Sequence, residues 1–252
     1  MNNKVISLKR EIKDDYNYRE SLKTLRTNIQ FCGSNIHTIM FTSALPDEGK
    51  SDIAFSVAAS LAQIGKKVIF IDADIRKSVL VSRYQLEGEV NGLSQYLSGQ
   101  KNREDIIYET NYEGFSVIFA GPYSPNPAEL LEEDLFHDLI QSLKDYDYVI
   151  IDTPPAYLFS DAAILAGYAD RVLYVVRHDM AEIPQIEKGM ESFIQEDKLL
   201  GYLINRSQKG FASYGKYGYG KYGYGKYGYG KYGKYQRYVD VKEDDMDTED
   251  SL

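Results

Sequence analysis

The stretch Thr38-Ile-Met-Phe-Thr-Ser43-Ala-Leu-Pro-Asp-Glu-Gly49-Lys50-Ser51 decides the fold. Its opening, Thr38 to Thr42, is β-branched, apolar and aromatic, as in a strand buried on both faces. Its end opens a helical period through Ile53, Val57, Leu61 and Ile64 that Gly65 closes. A Gly-Lys-Ser run between a buried strand and a helix has the context that a phosphate-binding loop requires. Backbone N–H groups and the positive end of the helix dipole can hold phosphate there. Lys50 is placed to bridge β- and γ-oxygens and the Ser51 hydroxyl to ligate Mg2+. The same string in an ordinary strand-to-helix turn would simply carry an exposed lysine.

Outward from this loop the theme repeats. Apolar segments at residues 67–72, 115–120, 148–152, 171–176 and 199–205 are predicted strands, with helical segments between most of them. The strongest helical period runs from Ala128 to Asp145, with Leu130, Leu131, Leu135, Leu139, Ile140 and Leu143 in register and Pro127 as a start signal. A further helix is predicted over residues 17–31, with Leu22, Leu25 and Ile29 on one face. Continuous apolar strands alternating with helices predict an α/β fold: a mostly parallel sheet with helices on both faces. Residues 17–210 form this domain, residues 1–16 are an irregular lead-in, and residues 211–252 are a separate tail.

In such sheets ligands sit beyond the carboxyl ends of the strands. That rule selects residues 43–51, 72–76, 121–127 and 152–155. Val68-Ile-Phe-Ile-Asp72-Ala-Asp74-Ile-Arg76 places two carboxylates at i and i+2 as one strand ends, and Tyr148-Val-Ile-Ile-Asp152 ends another in an acid. Single acids after strands often serve as helix caps, whereas three converging on one phosphate edge suit Mg2+, which takes one or two carboxylates and keeps several waters. Asp72 and Asp152 are candidate metal groups, direct or through water. Asp74 is the candidate acceptor of the proton of an incoming hydroxyl; the roles of Asp72 and Asp74 could be exchanged. The rigid loop Gly121 to Pro127 could border the way in for a neighbour's tail, or be a simple turn.

Composition narrows the function further. The net charge of −9 belongs wholly to the first 210 residues. Residues 211–239 carry five lysines and Arg237, +6, and residues 240–252 carry seven acids against Lys242, −6, which sum to zero. An acidic body argues against nucleic-acid binding. One cysteine, Cys32, excludes an internal disulfide framework and is read as a core residue. His37, His137 and His178 have no ligand spacing, so zinc is not expected. No apolar run approaches the ~20 residues of a membrane span. The chain is therefore expected to be cytoplasmic, and recruited to the membrane through a partner.

The tail is dominated by Tyr214, Tyr217, Tyr219, Tyr222, Tyr224, Tyr227, Tyr229, Tyr232, Tyr235 and Tyr238, strung on glycine and lysine. The unit Tyr-Gly-Tyr-Gly-Lys runs three times from Tyr217 to Lys231, too short a period for a solenoid. Taken alone it is a low-complexity interaction segment or a presentation of hydroxyls.

Together, the phosphate loop containing Pro46, the Asp-Ala-Asp-Ile-Arg stretch at 72–76, the Ile-Ile-Asp-Thr-Pro-Pro stretch at 150–155 and the tyrosine cluster resemble the bacterial tyrosine kinases of capsule and exopolysaccharide operons. The resemblance spans nearly the whole chain. It implies a P-loop NTPase-type fold and a Walker A motif whose nucleotide-binding residues are Ser43, Ala44, Leu45, Pro46, Asp47, Glu48, Gly49, Lys50, Ser51 and Asp52. It also implies a Walker A′ motif at 72–76 and a Walker B motif at 149–152. ATP and Mg2+ are the implied cofactors, with Lys50, Asp72, Asp74, Arg76 and Asp152 catalytic, Ser51, Asp72 and Asp152 at the metal, and Asn205 near the adenine. Glu20, Lys23 and Arg26 match that family's Glu-x-x-Arg-x-x-Arg oligomerisation helix, with lysine replacing the first arginine, and so imply a ring-like homo-oligomer. Lysine keeps the charge but loses the planar fork. The resemblance further implies phosphorylation of the tail tyrosines between subunits, a membrane-spanning chain-length-determinant activator and a dedicated tyrosine phosphatase.

Two departures stand out. Asp47 replaces the usual glycine of that loop and Asp52 the usual threonine. Asp47 is sterically tolerable at positive φ, but both charges would oppose a polyphosphate unless they face solvent, so weakened nucleotide affinity is expected. Two other functions compete: a partition-type ATPase, whose signature lysine is here Leu45, and a non-catalytic scaffold of the polysaccharide machinery.

Overall fold

The computed structural model describes residues 4–8, 16–78, 80–84 and 90–207. The tail 211–252 with its ten tyrosines, and much of the lead-in, lie outside the described residues.

Lys4–Ile6 form β1, and Tyr16–Phe31 form α1. Thr38–Ser43 (β2), Lys50–Ala62 (α2) and Val68–Asp72 (β3) make the strand–loop–helix–strand unit that the sequence predicts. Leu80–Arg83 (α3), Leu93–Leu97 (α4) and Arg103–Ile106 (α5) are short helices before Ile107–Thr110 (β4) and Phe115–Ile118 (β5). Pro127–Glu132 (α6), Asp134–Ser142 (α7), Tyr148–Asp152 (β6), Asp161–Ala166 (α8), Arg171–Arg177 (β7), Ile183–Gln195 (α9) and Leu199–Asn205 (β8) follow. The strands lie in the order β1-β4-β5-β3-β6-β2-β7-β8. Every neighbouring pair is parallel except β4 and β5.

Alternation along the strands builds two cores, because successive side chains of a strand point to opposite faces. Ile39, Phe41, Val68, Phe70, Val117, Ile150 and Leu173 face α1 and α2, and pack with Leu22, Ile29, Phe55 and Leu61. Met40, Ile69, Ile71, Ile118, Val149, Ile151 and Val172 face the opposite layer, with Leu93, Leu131, Phe136, Leu139, Leu165 and Phe193. α2 is buried along nearly its whole length, since it lies between the sheet and α1. Each fully buried Leu, Ile or Phe contributes about 1.5–3 kcal/mol.

Three expectations need correction. The period over residues 128–145 is broken into α6 and α7 at Glu133, whose ψ is 147°. A straight helix would turn Leu131 and Phe136 about 140° apart, yet both are fully buried; the break brings both to the core. The lead-in contains a strand, since Lys4, Val5 and Ile6 pair with Tyr108, Glu109 and Thr110 at the sheet edge. A strand of three residues has no period to detect. Cys32 is exposed, not core. Helix α1 ends at Phe31 before its buried stripe reaches that position, and the Cys32 thiol donates to the Asn28 carbonyl at 3.1 Å.

Candidate functional site

Strands β3, β6 and β2 are neighbours at the centre of the sheet, so their carboxyl ends deliver three motifs to one edge. Asp72 and Asp152 are direct register partners, as are Phe41 and Asp152. The loops are stitched together by backbone bonds: Ala73 N–H donates to the Asp152 carbonyl at 2.8 Å, and Ala156 N–H to the Ser43 carbonyl at 2.8 Å.

The β2–α2 loop holds its own shape. The buried Glu48 carboxylate accepts from Leu45 N–H at 2.7 Å and from Arg177 N–H at 3.1 Å. Arg177 also donates to the Asp47 carbonyl at 3.2 Å, and the Asn205 amide to the Glu48 carbonyl at 2.8 Å. Gly49 has φ of 88°, and a Cβ there would lie 2.2 Å from Asn205 Nδ2. Glycine is required on both counts. Asp47, at φ of 62°, occupies the left-handed region that aspartate tolerates.

At the start of α2, Lys50 Nζ lies 3.3 Å from Asp152 Oδ1, 3.7 Å from Asp74 Oδ2 and 3.2 Å from Ser51 Oγ. Asp72 accepts from the Ser78 hydroxyl and, at 3.2 Å, from Asp74 N–H. Asp74 accepts from Lys77 N–H at 3.1 Å. Burial, and then the charge of Asp152, pushes Asp72 up to about 7, although Ser78 and Lys50 oppose the shift. Burial also raises Asp152, against the pull of Lys50 and Ser51. Burial pulls Lys50 down, but Asp152, Asp74 and Asp72 more than offset it, so the ammonium is held above its ordinary value.

This is a cation ringed by three acids at a helix start. Its donors are hard oxygens from Ser51, Asp72 and Asp152, which suit Mg2+ and not a softer metal. Among the described residues no three acid, histidine or cysteine side chains form a ready-made metal cage; Mg2+ held through one or two carboxylates, waters and phosphate oxygens needs none.

The remaining predicted residues are placed as follows. Arg76 pairs with the fully buried Asp161 at 2.9 Å and its guanidinium lies 4.5 Å over the Phe159 ring. Asp52 pairs with Arg83 at 2.7 Å. Asn205 sits against the loop backbone at Glu48 and Gly49. Glu20 and Lys23 pair with each other at 2.6 Å on the exposed face of α1. Arg26 instead bonds within the subunit, to the Ser60 carbonyl at 3.1 Å and hydroxyl at 3.0 Å on α2. The Gly121–Pro127 loop leads into α6, with Ser94 Oγ donating to the Pro122 carbonyl at 2.8 Å. The phosphoacceptor tyrosines lie outside the described residues.

Sequence reasoning missed Ser78, Arg83, Asp161 and Arg177. Arg177 ends β7, so the rule of carboxyl strand ends could have found it. Arg83 and Asp161 act by long-range pairing, which leaves no local pattern.

The family of AAA domains matches residues 37–199 of the chain. The tyrosine-protein kinase CpsD of Streptococcus agalactiae is 41% identical over 201 residues, 79% of this chain and 88% of that protein. The kinase domain of the Escherichia coli tyrosine kinase ETK superposes with a TM-score of 0.68 at 31% identity, covering 81% of this chain and 80% of that one. The septum site-determining protein MinD of Pyrococcus horikoshii, in complex with Mg-ADP, is 21% identical at a TM-score of 0.56 over 68% of this chain and 72% of that one, and so shares the fold alone. With a P-loop NTPase-type parallel sheet, a lysine among three carboxylates at its carboxyl edge and these relatives, the chain belongs to the bacterial tyrosine-protein kinase family.

Proposed function

We propose that this kinase is an ATP-dependent autokinase that phosphorylates the tyrosine cluster on a neighbouring subunit's tail, and thereby regulates capsule or exopolysaccharide synthesis and export. The observation that carries the reading is the position of Lys50 between Asp152 and Asp74 at the start of α2. On this reading ATP lies along residues 43–52. Ser51, Asp72 and Asp152 would hold its Mg2+, which would supply neutralisation of the phosphate charge. Lys50 leaves its carboxylates to meet the phosphate oxygens. Asp74, the most exposed of the three acids, receives the tyrosine hydroxyl proton. Transfer then needs positioning and charge stabilisation more than covalent chemistry from the protein.

The tail suits the role of substrate by composition. A glycine-rich chain of 20–30 residues has a root-mean-square reach of about 22–33 Å, enough to enter a neighbour's site in a ring-like homo-oligomer. Each phosphate adds about −1.5 to −2 charges, so three or four would cancel the +6 of the basic block and further ones would reverse it. Among the described residues no helix is long and apolar enough to cross a membrane. Recruitment to the inner face of the membrane is therefore assigned to a membrane-spanning activator, and reversal to a tyrosine phosphatase.

Mass spectrometry after incubation with Mg2+, ATP and the activator's cytoplasmic segment tests this. Phosphotyrosine on the tail that is absent from Lys50→Met supports the autokinase. ATP hydrolysis without tyrosine modification supports a partition-type ATPase, and neither activity a scaffold; either result refutes the proposal.

A further inference from the structure

An acid in the first turn of a phosphate-loop helix sets a problem of charge. Asp52 lies two residues beyond Lys50, and a bare carboxylate there would repel a polyphosphate. The structure gives that carboxylate a cation. Arg83 Nη1 lies 2.7 Å from Asp52 Oδ1, a bond spanning 31 residues of sequence, with both side chains only partly exposed.

The pair is built and not incidental. Arg83 ends α3, which Leu80 anchors in the core. Immediately after it, Tyr84 stacks on Phe55 of α2 with ring centroids 4.3 Å apart, and Tyr84 N–H donates to the Leu80 carbonyl at 2.9 Å. Phe55 is one turn from Asp52 on the same helix, so the stacking fixes where the guanidinium falls. On the other side, Ser56 Oγ donates to the Asp52 carbonyl at 2.7 Å and Tyr18 of α1 donates to Ser56 Oγ at 3.0 Å. The remaining loop acids are dealt with differently: Glu48 is turned onto backbone N–H groups, and Asp47 is exposed.

We propose that Arg83 is a positioning residue of the nucleotide site: by pairing with Asp52 it withdraws that carboxylate's charge from the phosphate loop and so sets the affinity for a nucleoside triphosphate. The proposal rests on residues 43–52 being the nucleotide site. It replaces the expectation that Asp52 weakens binding outright, because the acid arrives with its own counter-charge.

The test is calorimetric titration of Mg2+-ATP into the full-length protein, Arg83→Gln, Asp52→Asn and the double variant. For an unscreened unit charge taken at about 8 Å from the phosphates and an effective dielectric of about 40, Coulomb's law gives a shift in affinity of roughly sixfold. Arg83→Gln is expected to raise Kd by about that factor, and less in high salt. The double variant is expected to return to within about twofold of the parent, the ordinary error of additivity. A Kd for Arg83→Gln equal to the parent's overturns the proposal and leaves the nucleotide site standing. A double variant as weak as Arg83→Gln also overturns it, because the arginine would then act through folding. A parent that binds no Mg2+-ATP overturns both this and the assignment of the site.

Discussion

Arg76 Nε lies 2.9 Å from Asp161 Oδ2 and joins the loop after β3 to the first turn of α8, across 85 residues of sequence. Asp161 is fully buried and, among the described residues, its other oxygen has no hydrogen-bond partner, so Arg76 carries most of its compensation. Arg76→Ala is expected to cost about 3 kcal/mol, because an uncompensated buried charge remains. Asp161→Asn in the same chain should recover most of it. Denaturant midpoints of the two variants check this; an unchanged midpoint for Arg76→Ala contradicts it. Any kinase defect of Arg76→Ala must be read after that loss.

Gly49 and Asn205 share a space that admits no methyl group. Gly49→Ala brings about 1–2 kcal/mol of left-handed backbone strain, and its Cβ meets Asn205 Nδ2 at 2.2 Å. Thermal unfolding and Mg2+-ATP titration of Gly49→Ala should both worsen. Adding Asn205→Ala should restore the part due to crowding and leave the part due to strain. Full recovery in the double variant would mean that the backbone angle is not a constraint.

Asp47 is exposed and tolerates its positive φ of 62°. Asp47→Gly is therefore expected to change Mg2+-ATP affinity by less than about 0.5 kcal/mol, as for other surface positions. A tenfold tightening would show that this charge does reach the phosphates.

Asp72 supplies a pH dependence of known sign. Its carboxyl is held at about 7 in the folded protein against an ordinary value of 3.8. Between these values the folded state binds the proton more tightly than the unfolded chain, so this group's contribution to stability falls as pH rises from about 4 to about 7. It is constant on either side. In the nucleotide-free protein, Asp72→Asn should remove that slope, and its stability relative to the parent should rise over this window and then level. Urea unfolding at pH 4.5, 6 and 7.5 measures it; a constant difference between the two proteins contradicts the assignment. Lys50, whose value is also raised, adds a slope of the same sign but far above this window.

Much of this architecture was legible because its signals are local. The apolar run from Thr38 and the Gly49-Lys50-Ser51 turn announce a strand and a helix start, and the acids at 72 and 152 fall at strand ends where such folds gather chemistry. The adjacency of β3, β6 and β2 was not legible, nor were β1 and β4, because pairing depends on residues far apart and strands of three and four residues carry no period. The Glu133 break lay hidden in an unbroken leucine pattern, since two short helices and one long one satisfy the same spacing. Arg83 gave no signal beside its neighbours, and its meaning comes only from where Phe55 and Tyr84 place it.

The central claim, transfer from ATP on one subunit to the tail of another, is tested most directly by mixing two defective proteins. One is full-length Lys50→Met, which has the tail and lacks the phosphate-loop lysine. The other is the parent sequence ended after Gly210, which keeps the site and lacks the tail. With Mg2+, ATP and the activator's cytoplasmic segment, the account predicts phosphotyrosine on the Lys50→Met tail in the mixture and in neither protein alone. A mixture that stays unmodified, while the intact protein modifies its own tail, would contradict transfer between subunits.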